Sequence, residues 1–477
     1  MVPVVLGALL LAGIWHDAGT RWSPGRRGWQ SGGARRGARW ATRRDLRALV
    51  VHEDAWPSGR LVLGRLHGAR RGGLVTAEPG QSLVVVGPTQ SGKTSSLAVP
   101  AILGWAGPVL AASVKSDLLR DTVGERAKRG TVWCIDPTGS TGAPAARWSP
   151  LGDCVRWAGA CRVAFDLCEA TKGEATTSDG EFWYAVAAKH LAPLLYAASR
   201  DGRTMADVVR WVDTQEVGEV AAILDREGPP DALDAARATW CRDERTRSSA
   251  ATTVETVLAP FAVASGVPDQ PVFEPPQLLG GAHTLYLCAP GHDQRRLRGY
   301  FTALTHQVLA HAFTTATRSG PLDPSLLVVI DEAAHVAPLP ELDSLAATCA
   351  SHGIQLVTVW QDLAQVRGRY GARAPTVLNN HRAKLFLPGI ADPDSLEYAS
   401  RLVGDEEAVQ PSVTRDPSGR RSTTSTTGPR RLLPPEELRC LHRGDAVLVY
   451  GSLPPARLRL RPWWTSRARA GTGTRAP

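Results

Sequence analysis

The chain has 477 residues, 43% hydrophobic and 21% charged, a composition that excludes a disordered or fibrous protein and allows two to four globular units. Its net charge of +9 is unevenly held: residues 21–47 carry nine arginines and one acid, residues 456–477 carry six arginines and no acid, and the body between them is slightly acidic. The overall basicity therefore gives no reason to read the body as a nucleic-acid-coating surface.

Arginines number 49 and lysines six, a ratio that reads as genome base composition rather than as phosphate recognition. The eight cysteines form no C-x-x-C pair. Cys154, Cys161 and Cys168 recur every seven residues, which puts them on one helix face as small apolar core residues, with no histidines at zinc-ligand spacing. Unpaired thiols point to a cytosolic body.

At the N-terminus, Val2–Trp15 is an uncharged apolar run of 14 residues, shorter than the roughly 20 a spanning helix needs. No basic segment precedes it and no small-residue cleavage signal follows, which argues against a secretory leader. The arginines that follow place the remainder in the cytoplasm by the positive-inside rule. Residues 1–20 are thus expected to be a partial membrane anchor and residues 21–60 a basic juxtamembrane linker.

From about Leu61 the pattern becomes α/β. Leu83–Val86, Val109–Ala112 and Thr131–Ile135 predict short buried strands. From 153 to 264 the strand signal stops and alanine-rich helical runs such as Trp183–Ala198 and Ala250–Phe261 predict an inserted all-α domain. Strands resume at Thr284–Cys288, Leu326–Ile330, Gln355–Val359 and Lys384–Leu387, separated by helices at Gln294–Thr315 and Glu341–His352. Such alternation predicts an α/β fold with a mostly parallel central sheet covered on both faces, formed by 61–152 and 265–464. The Ser/Thr/Arg/Gly-rich stretch 409–430 is expected to be a mobile loop. A last strand, Ala446–Tyr450, precedes a basic tail, 465–477, expected to be disordered.

Three strand ends carry chemistry. Gly87-Pro88-Thr89-Gln90-Ser91-Gly92-Lys93-Thr94 directly follows the first buried strand and satisfies G-x-x-x-x-G-K-[ST] in full. Its glycines let backbone N–H groups face phosphate oxygens, and the following helix adds its positive end. Lys93 is placed to reach the β and γ phosphates and Thr94 to bind Mg²⁺, so ATP and Mg²⁺ are the expected ligands. The second, Leu326–Ile330 followed by Asp331 and Glu332, delivers two carboxylates to the carboxyl edge of the sheet, where open α/β sheets bind ligands. Asp331 is assigned to Mg²⁺ and Glu332 to orienting the attacking water. The third, Val357–Trp360 followed by Gln361 and Asp362, places an amide at a neighbouring edge; Gln361 is read as a sensor of the γ-phosphate, or more plainly as a helix-start residue.

These motifs, taken in order, resemble the ATPases of type IV secretion coupling proteins, the TraG/TraD family within the FtsK–HerA group of RecA-like motors. The resemblance runs from about Trp40 to Trp464. It is carried by GPTQSGKT at 87–94, SVKSDL at 113–118, Asp136-Pro137, Trp148-Ser149-Pro150-Leu151 and Phe182-Trp183, then by VVIDEAAH at 328–335, WQDLAQ at 360–365, Asn379-Asn380 with Lys384, and the C-terminal LLPPEELRCL and AVLVYGSLPPARLRLRP. It implies a RecA-like P-loop NTPase, anchored in the plasma (inner) membrane as a homo-hexamer. Such a protein hands single- or double-stranded DNA with its relaxase to secretion channel proteins, and its helical insert meets relaxosome components. The family's trans-acting arginine corresponds here to Arg382 or Arg401. The family usually carries longer N-terminal membrane segments, whereas this chain has only Val2–Trp15. Two alternatives share the motifs: an FtsK-like double-stranded DNA translocase, although no winged-helix reader is evident after Trp464, and a nucleotide-gated receptor that docks protein substrates without pumping DNA.

Overall fold

The computed structural model describes residues 37–465 apart from 53–58, 69–72, 114, 173–177, 265–269 and 416–420. The anchor expected at 1–20 and nearly all of the tail expected at 465–477 lie outside these residues. Among the described residues no helix is long and apolar enough to cross a membrane.

The central element is a twelve-stranded sheet. Seven parallel strands form its body, in the spatial order Ala383–Phe386, Leu83–Val86, Ile354–Trp360, Leu326–Ile330, Val109–Ser113, Thr284–Cys288 and Val132–Ile135. Their residues alternate between two cores. Val84, Val86, Leu110, Val328 and Ile330 face one, and Leu83, Val85, Val109, Leu327 and Val329 face the other. Strands apolar on both sides are what a helix-covered parallel sheet demands. The helix after the glycine loop packs on the second face through Leu97 and Ile102. The long helix Gln294–Ser319 packs on the first through Tyr300, Leu304 and Val308.

Beyond Ala383–Phe386 the sheet continues as an antiparallel wing of Asp445–Tyr450, Ala456–Arg459, Val62–Leu66, Leu74–Thr76 and Val50–Val51. This wing corrects the expectation of a basic linker up to residue 60. Leu46 and Leu49 are fully buried, Val50–Val51 pairs with Leu74–Val75, and Asp45 accepts a bidentate pair from Arg39 at 2.7 and 2.8 Å. The two leucines, three residues apart, are too few to register as periodicity among the surrounding arginines.

Six helices and no strand occupy the described residues from Trp157 to Ala264. The chain enters and leaves this region through a parallel pairing of Arg147–Trp148 with Val272–Phe273. Trp148 fastens this stem to the sheet-packing helix: its Nε1 donates to Gln307 Oε1 at 2.7 Å, and its carbonyl accepts from the Tyr300 hydroxyl at 3.2 Å. Cys161 and Cys168 lie on Trp157–Thr171, whereas Cys154 belongs to the preceding 3₁₀ turn Pro150–Val155, because Ser149 and Pro150 start a separate turn there.

The mobile loop expected at 409–430 is instead an antiparallel hairpin, Asp405–Arg415 paired with Arg421–Arg431. Its five threonines and two valines favour extended backbone, and the cross-strand pair Glu406–Arg430 closes its base. Polar composition alone concealed it.

Candidate nucleotide site

The three chemistry-bearing strand ends lie side by side at the carboxyl edge of the sheet, with the Ile354–Trp360 strand between the glycine-loop strand and the acid-bearing strand. Backbone bonds tie the three ends together. Gly87 N–H donates to Trp360 O at 3.0 Å, Ala333 N–H to Val359 O at 2.9 Å, and Asp331 N–H to Ala112 O at 2.9 Å.

The loop is shaped by close approach and unusual backbone. A Cβ on Gly87 would stand 2.7 Å from Leu387 Cβ, so only glycine fits there. Gly92 takes φ +93° and Gln90, a non-glycine, φ +62°. The helix that follows opens with a π turn, Thr94–Ala98, before continuing as Val99–Gly104; such turns concentrate at functional sites. Lys93 is buried, and its ammonium donates to the carbonyls of Gly87 at 2.5 Å and Pro88 at 2.7 Å. Burial lowers its pKa from the ordinary lysine value, while the nearby charges of Asp331 and Glu332 oppose that shift.

Opposite the loop, Thr94 Oγ1 donates to Asp331 Oδ2 at 2.8 Å. The other carboxylate oxygen, Oδ1, is buried without a hydrogen-bond partner. Burial first, then the neighbouring Asp117 and Glu332, push the Asp331 pKa up to about 6, against the Thr94 bond and Lys93. A buried carboxylate with an orphan oxygen beside a threonine hydroxyl is a donor set suited to a hard divalent cation such as Mg²⁺, which prefers oxygen ligands. Glu332 sits at φ +61°, a left-handed conformation that costs a side-chain-bearing residue of order 1 kcal/mol or more and is concentrated at active sites.

Between these groups lies a cavity of about 300 Å³, bordered by Thr89, Gln90, Gly92, Lys93, Thr94, Asp331 and Glu332. The sequence reading placed these residues together from their motifs. Gln361 does not border the cavity. Its backbone N–H donates to Gln365 Oε1 at 3.0 Å, and Asp362 caps the helix Leu363–Tyr370. Its link to the site is indirect, through the adjacent Trp360 carbonyl that holds Gly87. Arg382 lies where the Ala383–Phe386 strand begins, at the edge opposite the loop, with Glu78 at 3.2 Å and the Tyr450 ring beneath it. Arg401 pairs with Glu397 on the exposed side of Pro393–Val403.

The reading of individual side chains missed several further cavity residues, among them Lys115, Asp117, Arg120, Arg443, Trp463 and Trp464. The first two stand in the SVKSDL segment, whose position after a buried strand was the available signal. Nothing local marks Arg443 or the tryptophans; the antiparallel wing carries them in from the far end of the chain.

The profile of the family described as type IV secretory system conjugative DNA transfer matches residues 39–469. A conjugal transfer protein TraG of Escherichia coli is 24% identical over 442 residues, covering 81% of this chain and 66% of that one; a second from the same species is 24% identical over 396 residues, covering 75% and 61%. The chain thus spans about three-fifths to two-thirds of the length of these relatives. The solved structure of plasmid coupling protein TrwB in complex with ADP and Mg²⁺ has a TM-score of 0.66 at 19% identity, covering 90% of this chain and 96% of that one. The likeness in fold extends over the sheet and its helices, and the matched residues take in every motif described above: the chain belongs to the type IV secretory system conjugative DNA transfer family.

Proposed function

We propose that this chain is an ATP-hydrolysing coupling protein that moves DNA toward a type IV secretion channel. The observation that carries the reading is the convergence of Lys93, Thr94, Asp331 and Glu332 on one cavity from strands far apart in sequence. TrwB, similar in fold, has been solved with ADP and Mg²⁺ and with a non-hydrolysable ATP analogue, which supports ATP and Mg²⁺ as the ligands here.

In this reading Lys93 exchanges its two loop carbonyls for phosphate oxygens when nucleotide enters. Thr94 and Asp331 would hold Mg²⁺, which would offset phosphate charge. Glu332, on its constrained backbone, orients the attacking water and accepts its proton. Gln361 reports loss of the γ-phosphate through the strand end that supports Gly87. The cavity is open to solvent, so a neighbouring subunit of a homo-hexameric ring can supply an arginine, a contribution worth ~10³ or more in related phosphoryl transfer. Arg382 and Arg401 are the two candidates for that arginine. The remaining assignments belong to the same proposal: an inner-membrane anchor at 1–20, an all-α insert at 153–264 that meets relaxase and relaxosome proteins, and a cytoplasmic motor.

The test is ATP turnover per subunit against protein concentration, with and without single- and double-stranded DNA, at two salt concentrations. Turnover should rise with concentration and with DNA, and the DNA effect should weaken steeply with salt as counterion release predicts. Turnover indifferent to both would favour a receptor that docks proteins without moving DNA. Stimulation by double-stranded DNA alone would favour an FtsK-like translocase.

A further inference from the structure

The nucleotide cavity has a wall that the phosphate-binding motifs do not account for. Trp463 and Trp464 border it together with Arg443, and Ser95 and Val99 belong to the same lining. Both tryptophans lie in a short 3₁₀ turn, Trp463–Thr465, closed by the Thr465 N–H and hydroxyl donating to Pro462 O at 2.9 and 2.7 Å. The turn is fixed to the body upstream, where Leu460 N–H donates to Gly444 O at 2.7 Å. Trp463 packs against the second core, whereas Trp464 is 47% exposed at the cavity rim. The two rings meet edge to face, with centroids 6.2 Å apart, so they present ring surface in more than one direction.

Val99 stands five residues beyond Thr94, about 7 Å along a helix rising 1.5 Å per residue. Val99 also borders the cavity, so the cavity runs past the phosphate-binding residues, and the tryptophan rings in its lining are the aromatic surface available to the nucleoside end of a bound nucleotide. We propose that Trp464, supported by Trp463, stacks on the nucleobase, so that the C-terminal end of the sheet wing completes in cis a site opened by the glycine loop. This inference rests on the nucleotide reading of the cavity and adds the group that holds the base. Stacking is tolerant of base identity, because every base offers a π face; the wall therefore holds adenine and guanine alike.

The experiment measures binding of ADP, GDP, inorganic tripolyphosphate and a single-stranded oligonucleotide to the full chain by calorimetry in Mg²⁺, for wild type, Trp464→Ala and Trp464→Phe. A base–aromatic stack lost to alanine is worth about tenfold or more in affinity. Trp464→Ala should weaken ADP and GDP by about that factor, Trp464→Phe should restore most of it, and tripolyphosphate should bind all three proteins equally. The exposure of Trp464 leaves the fold little to lose, which a thermal melt of the alanine variant checks. Unchanged ADP affinity in Trp464→Ala overturns the proposal, as does a parallel loss for tripolyphosphate. Weakened oligonucleotide binding with ADP unaffected would also overturn it, giving the tryptophans to DNA instead. If neither ADP nor tripolyphosphate binds the wild type, the nucleotide-site reading itself fails; if tripolyphosphate binds as tightly as ADP, only the base wall fails.

Discussion

Thr94 and Asp331, 237 residues apart in the chain, share a 2.8 Å hydrogen bond from the threonine hydroxyl to one carboxylate oxygen. The bond spans the space proposed for the cation, and it leaves the second oxygen of Asp331 buried and unpaired. Removing the hydroxyl therefore acts on two levels. Thr94→Val leaves both oxygens of a buried carboxylate without this donor, which costs about 1–3 kcal/mol of stability in the ligand-free protein. It also removes the proposed cation ligand, so Mg²⁺ should no longer tighten ADP binding. Denaturant unfolding and ADP titrations with and without Mg²⁺ check both. A variant whose ADP affinity still responds to Mg²⁺ as the wild type does would contradict the assignment of Thr94.

Arg126 is fully buried, with no carboxylate among its partners in the described residues. Its guanidinium donates to Thr284 Oγ1 at 2.7 Å and to the carbonyls of Trp105, Gly107, Ala282 and His283 at 2.6–3.2 Å, and burial pushes its pKa down to about 10. These bonds join the amino ends of two parallel strands. A lysine ammonium has three donors on a flexible stem and cannot span the same set. Arg126→Lys should cost about 2–4 kcal/mol, since several carbonyls lose their partner at once. An unchanged denaturation midpoint at constant m-value would show that the network carries no stability.

His381 makes stability depend on pH. The ring is fully buried; Nδ1 is 2.7 Å from Val377 O, and Nε2 is 3.1 Å from Thr358 Oγ1. A carbonyl can only accept, so Nδ1 carries the proton and the neutral Nε2 accepts from the threonine, whose oxygen in turn accepts from Trp360 Nε1 at 3.1 Å. Burial lowers the His381 pKa to about 4. The unfolded chain therefore takes up the proton first as pH falls. The stabilisation is complete above the ordinary histidine value of 6.5 and is lost progressively down to about pH 4. The size of the shift sets the loss at about 3 kcal/mol. Against a His381→Gln variant, wild-type stability should fall more steeply between pH 6.5 and 4; parallel curves across that window would show that His381 does not titrate as described.

Those residues also mark where sequence reasoning succeeds and where it stops. The strands before the glycine loop and before the acid pair were legible because each is a continuous run of Leu, Val and Ile, and the parallel sheet needs apolar residues on both faces. That Lys93, Thr94, Asp331 and Glu332 border one cavity was legible because the motifs fix both residue type and position relative to a strand end. The wing strand Ala456–Arg459 was not, since alternating apolar residues and arginines look like a basic tail until Leu458 is seen buried against its neighbours. The hairpin at 405–431 was missed because two strands pairing with each other need no apolar stripe. Trp463 and Trp464 reach the cavity only through the fold of that wing, a relationship that no local pattern encodes.

In the proposed function Lys93 and Glu332 serve one site in different ways, the first by holding phosphates and the second by handling water. The direct measurement is ATP affinity and steady-state turnover, side by side, for wild type, Lys93→Ala and Glu332→Gln. Lys93→Ala removes phosphate contacts and should lose both binding and turnover. Glu332→Gln keeps the shape of the side chain but not its basicity, so it should bind ATP as the wild type does and lose turnover by about 10²-fold or more, the scale of general-base catalysis. Turnover by Glu332→Gln equal to that of the wild type would contradict the claim.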